Sequence, residues 1–140
     1  MTDLGFPLDE ALRVVREALV EDLGGLDGVD VTTEATIDAA DTTTGRVVAR
    51  AAGVVAGLDV IRLVYDEVCA ILGSAAAVTV VRRAEDGDRV VRGEVLADIS
   101  GSTQAILIGE RTLLNILSRT SGVATATREW ADELAAYDTL

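Results

Sequence analysis

A chain of 140 residues is long enough for one domain with a packed core and too short for two well-developed ones. Its formal net charge is −12, and all 12 basic residues are arginine. It therefore lacks both a basic surface for nucleic acid or anionic membrane and a lysine for Schiff-base chemistry. It contains no histidine and a single cysteine, Cys69, which excludes a histidine triad, histidine metal ligation, an internal disulfide and a cysteine zinc cluster.

Apolar residues make up 49% of the sequence and aromatic ones only 3%, so the core must be built from Val, Leu, Ile and Ala. The first ten residues show neither the positive nor the apolar region of a secretion signal, and no later apolar run approaches membrane-spanning length. The expectation is a soluble, cytoplasmic protein that binds neither nucleic acid nor membrane.

In chain order, Leu8, Ala11, Leu12, Val15, Ala18, Leu19 and Leu23 recur at helical spacing, with Gly24-Gly25 as the stop. Glu10, Arg13, Arg16, Glu17 and Glu21 point outward, and Arg13 can pair with Glu17 at a spacing of four. Asp30, Thr32 and Thr33 carry turn and capping chemistry. Asp22 and Asp30 flank a glycine-rich loop, but nothing in their spacing makes a metal site.

Residues 46–51 and 54–56 read as β-structure around Gly53, and 58–72 as a helix with Val60, Ile61, Val64, Val68, Ile71 and Leu72 inward and Gly73 at its end. Cys69 falls on the apolar side of that helix as a small core residue. Residues 77–82 and 90–99 follow as strands on either side of Glu85-Asp86-Gly87-Asp88. The pattern Gly-Asp-x-Val-x-x-Gly-Glu-x-Leu over residues 87–96 resembles biotinyl and lipoyl carrier domains, but their prosthetic group needs a lysine that this chain does not have.

Ser102 or Thr103 then caps a helix that is apolar around most of its circumference, through Ile106, Leu107, Ile108, Leu113, Leu114, Ile116 and Leu117. A single polar seam of Arg111, Asn115, Ser118, Arg119 and Gly122 runs along it at steps of mostly three and four. A guanidinium on a largely buried helix must meet water, an acidic partner or an anionic ligand, because burying it unpaired costs several kcal/mol or more. The helical pattern resumes from Val123 to Ala136, past Ser121-Gly122.

The run Gly109-Glu110-Arg111-Thr112-Leu113-Leu114-Asn115, closing on Ser121-Gly122-Val123-Ala124-Thr125, resembles the signature helix of the quinolinate phosphoribosyltransferases. Glu21-Asp22 with Asp30-Val31-Thr32-Thr33, and Gly53-Val54-Val55-Ala56-Gly57 leading into a helix, resemble the same family in the same order. The resemblance implies an α+β fold. An α/β-hammerhead-like N-terminal domain, a small twisted sheet with helices, would occupy residues 1–112, and residues 113–140 would begin a C-terminal α/β barrel whose remainder is missing.

The implied reaction joins quinolinate to phosphoribosyl pyrophosphate, giving nicotinate mononucleotide, CO2 and pyrophosphate with Mg²⁺ assistance, in de novo NAD synthesis. The family's lysines and histidine lie in its other half, so this chain alone is expected to be inactive, with no catalytic residue and no metal ligand of its own. Arg111 matches the family arginine that reaches the substrate carboxylates in the neighbouring subunit's active site, which implies a homodimer or higher homo-oligomer. Glu110, Asn115, Ser118 and Arg119 would support it or lie at the interface. Two alternatives stand beside this reading: a paralogue that uses nicotinate or is associated with molybdate transport, and a non-catalytic domain that dimerises through the apolar helix.

Overall fold

The computed structural model describes residues 6–24, 36–73 and 76–138. Helix α1 (Leu8–Leu23) forms where the apolar spacing predicts, and Gly24 closes it by returning its N–H to the carbonyls of Val20 and Glu21. On its outer face Arg13 pairs with Glu10 at 3.0 Å and with the expected Glu17 at 3.1 Å, while Arg16 reaches Glu67 at 3.0 Å. Exposed pairs of this kind contribute little, so α1 is held chiefly by burial of Val15 and Leu19. The second glycine of the predicted stop, Gly25, and the turn residues Asp30, Thr32 and Thr33 lie outside the described residues.

The strands in chain order are β1 (Thr42–Val48), β2 (Gly53–Val54), β3 (Val78–Arg82), β4 (Arg89–Val90) and β5 (Val95–Ser102). β5 lies between β1 and β3 in a three-stranded antiparallel sheet, and β2 pairs with β4 as a short ribbon. Two arginines converge on one carboxylate at the centre of the sheet: Asp98 meets Arg46, its cross-strand partner, at 3.3 Å and Arg83 at 2.6 Å. The strand expected over residues 46–51 instead stops at Val48, where the register shifts. Beyond it Ala49 bonds to the turn, donating to Glu94 O and accepting from Gly93 N. That same Arg92-Gly93 turn divides the strand expected over residues 90–99 into β4 and β5.

Gly101 is the tightest point of the sheet. Its φ is 139°, and a Cβ there would sit 2.1 Å from the carbonyl oxygen of Ala77, so only glycine lets β5 run this close to the start of β3.

Helix α2 (Asp59–Leu72) occupies the centre of the molecule, with Ile61, Val64, Tyr65 and Val68 fully enclosed. Cys69 is half-buried against this core, as its helical phase predicts, and burial pushes its thiol pKa up.

Helix α3 (Thr103–Asp138) is one uninterrupted helix of 36 residues, and it passes through the position where the sequence reading separates two domains. Ser102 caps it, accepting from the Ala105 N–H at 3.2 Å. The interruption expected at Ser121-Gly122 does not occur. One glycine in a helix costs only about 1 kcal/mol, and neighbouring hydroxyls anchor this stretch to the body of the protein. The apolar circumference is also incomplete, because Leu107 and Leu114 are exposed alongside Arg111 and Ser118. Beyond residue 122 the helix leaves Val123, Trp130, Leu134 and Tyr137 on one bare face, Trp130 being 71% exposed. An ion pair from Arg89 to Asp132 at 2.6 Å ties this distal part to β4.

Candidate functional site around Arg111 and the α3 cleft

The turn of α3 that carries Arg111 is fixed on its inner side. Gly109 lies flat on α2, where an added Cβ would come within 2.9 Å of the Tyr65 ring, and Thr112 and Leu113 are each 1% exposed. The Thr112 hydroxyl donates to the Asp22 carboxylate at the end of α1. Glu110 and Arg111 are left facing outward. The seam read from the sequence is real in this sense: Arg111, Asn115, Ser118, Arg119 and Gly122 are all exposed on the outer side of α3. Among the described residues neither Arg111 nor Arg119 has a carboxylate partner. No hydrogen bond joins Glu110 to Arg111 among them either. Burial, with the Glu110 charge as the smaller cause, pushes the Tyr65 hydroxyl up to about 12.

About two and a half to four turns further along, the same helix grips the segment around β2. Thr125 Oγ1 accepts from the Val54 N–H at 2.9 Å, Ser121 Oγ accepts from the Ala56 N–H at 3.1 Å, and Thr120 donates to Ala56 O at 2.7 Å. Glycine is required opposite these hydroxyls. A Cβ at Gly53 would lie 2.7 Å from Thr125 Oγ1, and one at Gly57, where φ is 92°, would lie 2.8 Å from Thr120 Oγ1. The two motifs noted separately in the sequence, Ser121 to Thr125 and Gly53 to Gly57, are thus the two halves of one contact. Backbone N–H groups that a full sheet would have paired are satisfied by side-chain oxygens instead.

Next to this contact is a cleft of about 600 Å³, walled by residues 47–55 on one side and by Leu114, Leu117, Ser118, Gly122 and Glu129 of α3 on the other. Of the predicted seam, Ser118 and Gly122 reach it, whereas Arg111, Asn115 and Arg119 lie outside its lining. Arg50 and Glu129 are its charged groups.

A family model, quinolinate phosphoribosyl transferase N-terminal domain, matches residues 30–121. The chain belongs to the quinolinate phosphoribosyltransferase family. It is 42% identical over 124 residues to the carboxylating nicotinate-nucleotide pyrophosphorylase of Mycobacterium leprae, covering 89% of this chain and 42% of that one. A probable nicotinate-nucleotide pyrophosphorylase of Methanothermobacter thermautotrophicus is 35% identical over 117 residues, covering 84% and 38%. Among solved structures, NadC from Streptococcus pyogenes superposes with a TM-score of 0.78 at 33% identity, covering 96% of this chain and 44% of that one. The Francisella tularensis nicotinate-nucleotide pyrophosphorylase gives a TM-score of 0.80 at 26% identity.

The chain therefore spans about two fifths of the length of the family members it matches. The mixed fold of helices and a small sheet is that of the family's N-terminal portion. The Mg²⁺ implied by the family finds no ligand set here: among the described residues no three Asp, Glu or Cys side chains converge.

The sequence placed Asp22, Thr112, Ser121 and Thr125 only within motifs and did not single out Thr120, so the contacts they make were not foreseen. A threonine in an apolar helix has no signature of its own, and its partner here is a carboxylate or a backbone amide tens of residues away. For the contact with β2 the glycine pair at positions 53 and 57 signals close approach without naming what approaches.

Proposed function

We propose that this chain is the N-terminal part of a phosphoribosyltransferase that converts quinolinate and phosphoribosyl pyrophosphate to nicotinate mononucleotide, CO2 and pyrophosphate. In this reading Arg111 binds the quinolinate carboxylates in the active site of a neighbouring subunit. The observation that carries it is an exposed arginine, without a carboxylate partner among the described residues, on a turn whose inner side is clamped. A guanidinium so placed offers a planar fork that matches a carboxylate with two parallel hydrogen bonds, which lysine cannot reproduce. Glu110, Asn115, Ser118 and Arg119 surround that fork on the same helix. Mg²⁺ accompanies the pyrophosphate substrate on groups other than the described residues, and its role is to neutralise charge on the departing pyrophosphate.

The protein acts as a homodimer or larger homo-oligomer in the cytoplasm. Self-association is favoured by the bare face of Val123, Trp130, Leu134 and Tyr137, an exposed apolar surface of the kind that finds a partner. Among the described residues no helix is long and apolar enough to cross a membrane.

The test is complementation across subunits. A full-length family relative in which the Glu-Arg arginine is replaced by methionine is mixed with this chain, and quinolinate-dependent release of pyrophosphate is followed. The intact chain restores turnover and its Arg111→Met variant does not. Mixed oligomers that stay inactive with the intact chain, or recover equally with the variant, refute the assignment. Nicotinate accepted in place of quinolinate moves the protein to the paralogous reading. Oligomers that bind neither pyridine move it to the non-catalytic one.

A further inference from the structure

Two other threonines of α3 show what this helix does with a hydroxyl by default. Thr125 and Thr127 each donate to the carbonyl four residues earlier, at 2.8 Å, whereas Thr120, 3.0 Å from that carbonyl, makes its shorter bond at 2.7 Å to Ala56 O. Thr112 departs from that habit: its hydroxyl, almost completely enclosed, goes to the carboxylate of Asp22, 90 residues away in sequence. Asp22 is also out of place by local rules. It stands in the last turn of α1, which contains no basic residue, where the helix dipole disfavours a negative charge. Two residues that are each locally unfavourable meet in a single charge-assisted hydrogen bond, and one of them is the immediate neighbour of Arg111. Local rules broken together in this way mark a site where position matters more than propensity.

We infer that Asp22 and Thr112 are a positioning pair that sets where Arg111 is presented, which deepens the proposed substrate role of Arg111 and rests on it. The bond locks the end of α1 to the inner side of the Arg111 turn, while Gly109 seats the preceding residues on Tyr65. Together these contacts fix the height and rotation of α3 at the point where its arginine leaves the surface. Neither Asp22 nor Thr112 touches substrate in this scheme. Both act through Arg111, and a bidentate fork tolerates little displacement, since an error of about 1 Å in a positioned group can lower turnover by up to about 100-fold.

The experiment uses the same subunit mixture, with the rate measured against each substrate in turn. Thr112→Val removes the hydroxyl and keeps the shape, Asp22→Leu removes the acceptor, and Thr112→Ser and Asp22→Asn retain a donor and an acceptor respectively. For Thr112→Val and Asp22→Leu, KM for quinolinate rises by about 10- to 100-fold while KM for phosphoribosyl pyrophosphate stays within about 2-fold. Thr112→Ser and Asp22→Asn return the quinolinate value to within about 3-fold of the parent.

Amide spectra of the isolated chain provide a second readout. Thr112→Val shifts the signals of Arg111 and Asn115 and leaves those of Val123 to Ala126 in place. A Thr112→Val chain that only melts earlier, with the quinolinate KM unchanged, overturns the inference, as does failure of Asp22→Asn to rescue. Arg111→Met separates the two levels: if it leaves the quinolinate KM unaltered, the substrate role of Arg111 falls. If Arg111→Met raises that KM and Thr112→Val does not, only the positioning pair falls.

Discussion

Replacing Thr125 by valine tests whether the α3 hydroxyls hold β2, because shape is kept and only the oxygen is lost. In the structure that oxygen accepts the Val54 N–H at 2.9 Å and donates to Ser121 O at 2.8 Å, and Val54 is only 5% exposed. The helical carbonyl keeps its backbone partner, so losing that bond costs little. The Val54 N–H is different: left without an acceptor beneath the helix, it carries a desolvation penalty of about 1–3 kcal/mol. A chain of this size loses about 3 °C of melting temperature per kcal/mol, so Thr125→Val should melt about 3–9 °C lower.

Two companions make the comparison sharp. Thr125→Ser keeps the hydroxyl and should lose under about 1 kcal/mol, for one methyl group. Thr127→Val, two residues along, removes a hydroxyl that bonds only to Val123 O on an exposed surface and should change stability by under about 0.5 kcal/mol. Urea unfolding of the three variants beside the parent decides the matter. If Thr125→Val and Thr127→Val are alike, or if Thr125→Ser is as damaging as Thr125→Val, the hydroxyl contact does not hold the ribbon.

Gly101→Ala should be among the most destabilising single-methyl changes in the chain, because its Cβ would sit 2.1 Å from Ala77 O at a φ of 139°. Backbone strain there is of order 1–3 kcal/mol, and parting the chain also strains the Ser102 N–H bond to Ala77 O, so about 2–4 kcal/mol is expected in denaturant titration. Gly45→Ala, which meets nothing within 4 Å, is the control. Tyr65 has the opposite dependence on pH from a paired carboxylate. Its folded pKa of about 12 lies above the ordinary value of 10.0, so folding favours the neutral phenol. The Tyr65 contribution to stability is then fully present below pH 10 and is lost between pH 10 and about 12, by an amount of order 2 kcal/mol. In urea unfolding, the parent should lose about 2 kcal/mol more than Tyr65→Phe between pH 10 and 12, and equal losses would refute the shift.

Helices and the caps that bound them were legible in the residues themselves. The period of Leu8 to Leu23 and of Val60 to Leu72, stopped by Gly24 and Gly73, depends on side chains three and four apart, and that spacing is a local property of the chain. The polar seam of α3 was legible for the same reason, and so was Ser102 as its cap. Strand limits were less so: β1 begins four residues before the predicted stretch and β4 is cut from β5, because a strand ends where its partner ends.

Only the tertiary structure decided the rest. It made α3 continuous through Gly122, turned Leu107 and Leu114 outward, joined Gly53 and Gly57 to Thr125 and Thr120, and brought Asp22 to Thr112. Each of these outcomes depends on which distant backbone or side chain arrives opposite a given residue. Helical period and turn chemistry are written within a few residues, whereas the partner of a buried hydroxyl is settled when the whole chain packs.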